Sequence, residues 1–210
     1  MRKLLLLVAA IALPIGFIVG IANTAGAVPP PINADHYTVT CTGISGTASF
    51  SPHMTTVMPV HTETTTISAK LTGCTSVGTP AVSLVSAKVK GTFVNTASNG
   101  CAGLLGDTTE SGSLTATWKV AVGTAKVSHT SVLPVISTTG GEAGTVASFN
   151  IGFGTPATGA YEGTDNGAGD TSAARSKQTI TALTKSCSGT LGLAKISLQA
   201  PVSGPAVSLS

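Results

Sequence analysis

Alternation of apolar and polar residues along the chain predicts β-strands almost throughout. In the clearest stretch, Ser113–Val122, apolar residues at even positions alternate with mainly polar residues at odd ones. A period of two directs one row to a core and the other to water, so Trp118 is expected in the core. Three more inward rows are Thr65-Ile67-Ala69-Leu71, Val85-Ala87-Val89-Phe93 and Ala147-Phe149-Ile151-Phe153. Weaker strands are predicted at Tyr37–Cys41, Gln178–Leu183 and Leu193–Leu198.

Clusters of Gly, Asn and Pro separate these segments and predict turns at 78–80, 98–100, 138–144 and 163–169. Such residues suit turns that need a preset or positive φ. No segment shows a sustained helical period with caps. Many short strands between Gly-rich turns are typical of a sandwich or a barrel. We therefore expect residues 36–210 to form one all-β domain, an antiparallel β-sandwich, with a closed β-barrel as the alternative.

The first 27 residues have the features of a secretory signal peptide. Arg2 and Lys3 precede an apolar run over residues 4–21, and Ala25-Gly26-Ala27 supplies a small-residue cleavage site. The run is at the short limit for a membrane-spanning helix, which favours cleavage over an uncleaved anchor. We expect the mature chain to begin at Val28, with a flexible Pro-rich segment over residues 28–35. The expected location is secreted, extracellular or at the cell surface.

The distribution of charge and the hydropathy of the chain exclude two kinds of partner, nucleic acid and the interior of a membrane. The chain has 11 basic and 8 acidic residues, and two of the basic ones belong to the leader. The remaining basic residues are scattered singly and cannot follow a phosphate backbone, so nucleic acid is excluded as a partner. No second apolar run reaches membrane length, so no transmembrane span is expected after processing.

Four cysteines, an even number in an exported chain, predict two disulfides. They are Cys41, Cys74, Cys101 and Cys187. Three connectivities are possible, and we prefer Cys41–Cys74 with Cys101–Cys187 because this pairs neighbours in sequence without crossing. Three of the four begin a C-x-G-x-x-G pattern, which is interpreted as turn chemistry, with an old duplication as the alternative.

The chain also resembles a group of uncharacterised secreted, β-rich proteins of actinobacteria. The resemblance rests on the segments Thr40–Pro52, Leu71–Cys74, Leu114–Lys119 and Cys187–Leu198. It covers most of residues 37–200 and implies secretion and a β-rich fold. It brings no catalytic residues with it, because the matching motifs are structural.

Two stretches carry candidate metal ligands. His53, Met54, Met58 and His61 combine imidazole and thioether donors, a set suited to copper. The alternative is a loop whose methionines pad the edge of the core.

A Gly-rich segment holds Glu162, Asp165 and Asp170, whose oxygens could bind calcium. The alternative there is an exposed hairpin loop kept soluble by its charges. No cofactor is required by either reading of the two stretches.

No nucleophile motif or marked acid–base pair is found, so no catalytic residue is assigned. The favoured function is a secreted or cell-envelope-associated structural, adhesive or binding module without catalytic activity. Its partner would be a cell-wall or extracellular polymer, or a protein. The alternative is a small secreted hydrolase acting on cell-wall polymer or carbohydrate.

Overall fold

The computed structural model describes residues 37–56, 62–78, 82–95, 100–122, 125–155, 157–161 and 169–210. All of them belong to one compact unit. The expected signal peptide and Pro-rich segment lie outside the described residues. So do four of the candidate metal ligands, Met58, His61, Glu162 and Asp165.

Ten strands and one α-helix make up most of the described chain. The strands are β1 Thr38–Met54, β2 Glu63–Val77, β3 Ser83–Asn95, β4 Asp107–Val122, β5 Ala125–Ala143, β6 Val146–Phe153, β7 Thr158–Gly159, β8 Thr171–Thr179, β9 Leu193–Gln199 and β10 Val207–Leu209. The helix α1 spans Ile180–Ser188, and a 3-10 helix spans Cys101–Leu105. Every strand pairing among the described residues is antiparallel, and the predicted all-β, antiparallel, disulfide-linked class is confirmed.

Strand pairing joins the two ends of the sheet. Strands β1 to β6 pair in succession, β6 pairs with β8, and β8 pairs with β9. Strand β9 then pairs back onto β1, with Ala48 opposite Ile196. Strand β10 lies between the first residues of β1 and of β8. The long described strands therefore have neighbours on both sides, and one face of the folded sheet encloses the core.

The alternation read from the sequence determines which side chains lie inside. On β2, Thr65, Ile67, Ala69 and Leu71 are buried, and the residues between them are exposed. On β4, Leu114, Ala116, Trp118 and Val120 are buried. The prediction for Val85 is wrong, because its side chain is exposed. The β3–β4 register shifts between Leu84 and Ser86, and this irregularity turns Val85 outward while Leu84 is buried.

Two local predictions are also wrong. The strand expected at Gln178–Leu183 ends at Thr179, and α1 begins there. The Thr179 hydroxyl accepts a hydrogen bond from the Ala182 backbone N–H at 3.2 Å, which caps the helix. The helix is short and buries Leu183 and Cys187, so its period is hard to see in the sequence. The turn expected over 138–144 is narrower, since β5 continues to Ala143.

Both disulfides are formed, in the pairing expected from the sequence. Cys41 and Cys74 lie directly opposite each other on β1 and β2 and are bonded. Cys101 and Cys187 are bonded across 86 residues, and this bond ties the 3-10 helix to α1. Among the described residues no cysteine is free, and no helix is long and apolar enough to span a bilayer.

Candidate functional site

A narrow cavity of about 100 Å³ lies inside the folded sheet. Its walls are mostly apolar side chains from the inward rows of the strands. Along β4, the lining residues extend from Glu110 to Trp118. At about 3.3 Å per residue this part of the strand is roughly 26 Å long, so a cavity of this volume must be slender.

Polar side chains are concentrated at one end of this interior. Glu63 lies opposite Asn95, and Asn95 lies opposite Glu110, on the neighbouring strands β2, β3 and β4. Their exposed fractions are only 3%, 3% and 7%. The Thr65 hydroxyl, also buried, donates to Glu63 Oε1 at 3.0 Å. Two carboxyl side chains are therefore buried at the end of an apolar core, where burial is costly without polar partners.

One oxygen of Glu110 is well bonded and the other is not. Glu110 Oε1 accepts hydrogen bonds from the hydroxyls of Thr108 at 2.6 Å and Thr138 at 3.0 Å. The two hydroxyls are also 2.6 Å from each other. Glu110 Oε2 is buried and has no hydrogen-bond partner. We call Glu110, Thr108 and Thr138 the carboxylate–threonine cluster; all three line the cavity.

A β-bulge lies next to Glu110, which faces inward because it continues the alternation of Leu114 and Gly112 along β4. The register between β4 and β5 shifts between Thr109 and Gly112, so β4 carries one extra residue there. Bulges bend a strand and redirect its side chains, and they are common beside functional sites. A Cβ on Gly112 would lie 2.3 Å from the Thr92 carbonyl oxygen, with φ at +158°. The close approach of β3 and β4 at the bulge therefore requires glycine.

The 3-10 helix covers the polar end of the cavity. Its residues Gly103 and Leu104 line the cavity. A Cβ on Gly140 of β5 would lie 1.9 Å from the Leu104 carbonyl oxygen, so the helix rests directly on the β5 backbone. Cys101 N–H donates to the Thr55 carbonyl at 2.9 Å. The disulfide to Cys187 adds a third attachment, and the 3-10 helix therefore acts as a tethered cap.

A second crevice of about 290 Å³ lies between this cap and α1. Leu104 lines both this crevice and the interior cavity, whereas the Cys101–Cys187 disulfide lines the crevice only. The crevice has few polar atoms and contains no buried charged group. The interior cavity is therefore the stronger candidate site.

An aromatic cluster surrounds the other end of the β4 interior. Trp118 is fully buried, as predicted, and its Nε1–H donates to the Ser131 hydroxyl at 2.7 Å. Tyr161 packs edge-on against Tyr37, Trp118 and His129, with ring centroids 5.1 to 6.1 Å apart. Burial, and secondarily the neighbouring Tyr37, raises the pKa of Tyr161 to about 12. Burial also raises the pKa of Tyr37.

The described part of the copper motif does not converge. His53 is exposed, and its Nδ1 lies 2.8 Å from the Leu191 carbonyl oxygen. Met54 is buried and lines the interior cavity. Consecutive residues on a strand point to opposite faces, so these two donors diverge. Met54 packs at the core, as in the alternative considered for this motif.

Asp170 has a structural contact instead of an exposed position. It is 1% exposed, and its Oδ1 accepts the Ser210 backbone N–H at 2.7 Å. The carboxylate thus ties the residue after β10 to the start of β8. No group of three or more His, Cys, Asp or Glu that could hold a metal is found in the described part of the chain.

Glu63, Asn95 and Glu110 were not identified from the sequence, although the alternation of the strands indicates that they face inward. Glu63 is two residues before Thr65, Asn95 is two after Phe93, and Glu110 is four before Leu114. Extending each inward row past its last apolar residue reaches all three. The predicted inward rows end at their outermost apolar or threonine residue, so they do not include these three side chains. Comparison of the chain with protein-family models, curated proteins and solved structures finds no match.

Proposed function

We propose that the protein is an exported, non-catalytic binding module that holds a small, slender apolar molecule inside its folded sheet. The observation that carries this proposal is the interior cavity, with apolar walls and the buried, unbonded Oε2 of Glu110 at one end. Binding sites of this kind combine apolar walls with a few convergent polar groups that orient the ligand. An unsatisfied buried polar atom calls for an explanation, and an absent ligand is one.

Export is supported by the two disulfides together with the signal-peptide pattern. Disulfides persist in oxidising compartments and are rare in the cytosol. Mass spectrometry of the protein expressed with its leader should find a mature N-terminus at Val28 in the culture supernatant. An intact chain starting at Met1 and held in membranes would contradict this part of the proposal.

The cavity is too small for a polymer to bind inside it. About 100 Å³ cannot admit a polysaccharide chain, so a cell-wall polymer or a partner protein would have to bind on the outer surface. Retention on insoluble cell-wall material would test that separately.

The hydrolase alternative lacks a histidine–carboxylate pair in the described residues. His53 bonds to a backbone carbonyl and His129 packs on Tyr161, and neither contacts a carboxylate.

Cavity filling tests the binding proposal directly. Ala116 is buried in the cavity wall at the middle of β4, and the adjacent Thr115 is exposed on the other face. Calorimetric titration with n-hexanol should show saturable binding to the native protein. Ala116→Leu should weaken it at least tenfold, and the matched control Thr115→Leu should leave it unchanged. Absence of binding by any six-carbon probe, or equal binding to Ala116→Leu, would refute an interior site.

A further inference from the structure

The interior ligand carries a cationic head, and we infer that an alkylammonium group binds Glu110 Oε2 with its alkyl chain along the apolar cavity. This inference rests on the proposed function, since it specifies the ligand of the same site. The two oxygens of the Glu110 carboxyl group differ in their hydrogen bonds. Two threonine hydroxyls satisfy Oε1, while Oε2 is buried without a hydrogen-bond partner.

The missing hydrogen-bond partner of Glu110 Oε2 must be a donor. An ionised carboxylate only accepts hydrogen bonds, and both threonine contacts can be donated to it. In the described part of the chain, Glu110 forms no ion pair with a basic side chain and has no other hydrogen-bonding partner. A buried carboxylate is costly unless it is paired and fully hydrogen-bonded. A positively charged donor would meet both needs at once, whereas an anionic head would be repelled.

The residues that line the cavity indicate what the rest of the ligand is. Beyond the carboxylate–threonine cluster, the wall along β4 continues with Leu114, Ala116 and Trp118. The neighbouring strands β3 and β5 add Phe93 and Leu133, which are also apolar. A ligand that reaches from the carboxylate along these walls is elongated, which suits an unbranched chain better than a ring or a branched body. The cap at Cys101–Leu105 lies over the charged end, so a ligand would enter when the cap opens locally.

Three probes of equal length test the head group. Calorimetric titration of the disulfide-intact protein with n-hexylammonium, n-hexanol and hexanoate should give affinities in that order. We expect n-hexylammonium to bind roughly tenfold or more tightly than n-hexanol, because hydrogen bonds to charged groups are the stronger ones. Glu110→Gln keeps an acceptor for the two threonines and removes the charge. It should abolish the preference for n-hexylammonium and change n-hexanol affinity by less than about threefold.

The matched control is Glu142→Gln, since Glu142 is exposed on β5 and does not line the cavity. It should leave all three affinities unchanged. Equal affinity for the three probes, or tightest binding of hexanoate, would overturn the cationic head and leave the binding module standing. Binding of none of them would overturn both. Titration of potassium or calcium ions that depends on Glu110 and displaces n-hexylammonium would assign the oxygen to an inorganic cation and overturn the inference.

Discussion

Replacing Glu110 with methionine is expected to stabilise the protein. Methionine has a similar length and a flexible apolar side chain that can fill the space of the carboxylate. The Thr108 and Thr138 hydroxyls lose Oε1 as an acceptor, but they are 2.6 Å apart and keep each other as partners. The substitution also removes an oxygen that is buried without a hydrogen bond.

The change in the free energy of unfolding depends on two opposing effects, the loss of hydrogen bonds and the relief of desolvation. Two hydrogen bonds to Oε1 are lost, each contributing about 1–3 kcal/mol when the acceptor is charged. Against this stands the desolvation of a buried carboxylate, which amounts to several kcal/mol. Apolar replacement of a buried ion pair is often neutral or stabilising by about 1–4 kcal/mol. Among the described residues Glu110 has no cationic partner to offset its desolvation, and we expect a gain of about 1–3 kcal/mol for Glu110→Met.

Urea unfolding of the oxidised protein, followed by the fluorescence of the single tryptophan, measures this change. The matched control is Glu142→Met, on the exposed side of β5, which should stay within about 0.5 kcal/mol of the wild type. A loss of more than about 1 kcal/mol in Glu110→Met would refute the reasoning. It would mean that the carboxylate as a whole stabilises the empty fold, and that Oε2 does not await a ligand.

Three further predictions concern the core, the cap and the aromatic cluster. Trp118→Ala should cost about 3–5 kcal/mol in urea unfolding followed by circular dichroism, because the indole is fully buried, and Trp118→Phe should cost less. Joint replacement of Cys101 and Cys187 by serine should lower stability by about 2–4 kcal/mol and speed amide exchange in the cap, which unchanged exchange there would contradict. Raising the pH from about 10 to about 12 should destabilise the protein by about 2 kcal/mol, since Tyr161 ionises first in the unfolded chain. Tyr161→Phe should flatten this decline, and tyrosinate absorbance in the native protein should appear only well above pH 10.

The fold class could be predicted because the inward rows are regular where strands pair without interruption. The row from Thr65 to Leu71 is an example, since β2 pairs with β3 residue by residue along it. Val85 shows the limit of this reasoning. A register shift inverts the phase of a strand, and nothing in a single strand's own pattern reports how its neighbour is aligned.

The candidate site was missed for a related reason. Glu110 and Thr138 are 28 residues apart in sequence and meet only through the alignment of β4 with β5. The bulge beside Glu110 depends on the same alignment. The inward phase of Glu63, Asn95 and Glu110 could have been read from the alternation, but their adjacency depends on strand order. Alternation can indicate that a residue faces inward, whereas contacts between strands follow from tertiary structure.

The pairing of β1 with β9 is expected to slow folding and to expose the chain to aggregation. The paired residues Ala48 and Ile196 are about 150 positions apart, and pairings this distant slow folding because a long loop must close first. Until β9 arrives, one side of β1 presents unpaired backbone groups that another chain could extend. An emerging polypeptide would thus remain open to intermolecular strand addition until nearly all of it is available. Rapid dilution from denaturant should therefore favour aggregation over recovery, and a chaperone that shields β1 should shift that balance.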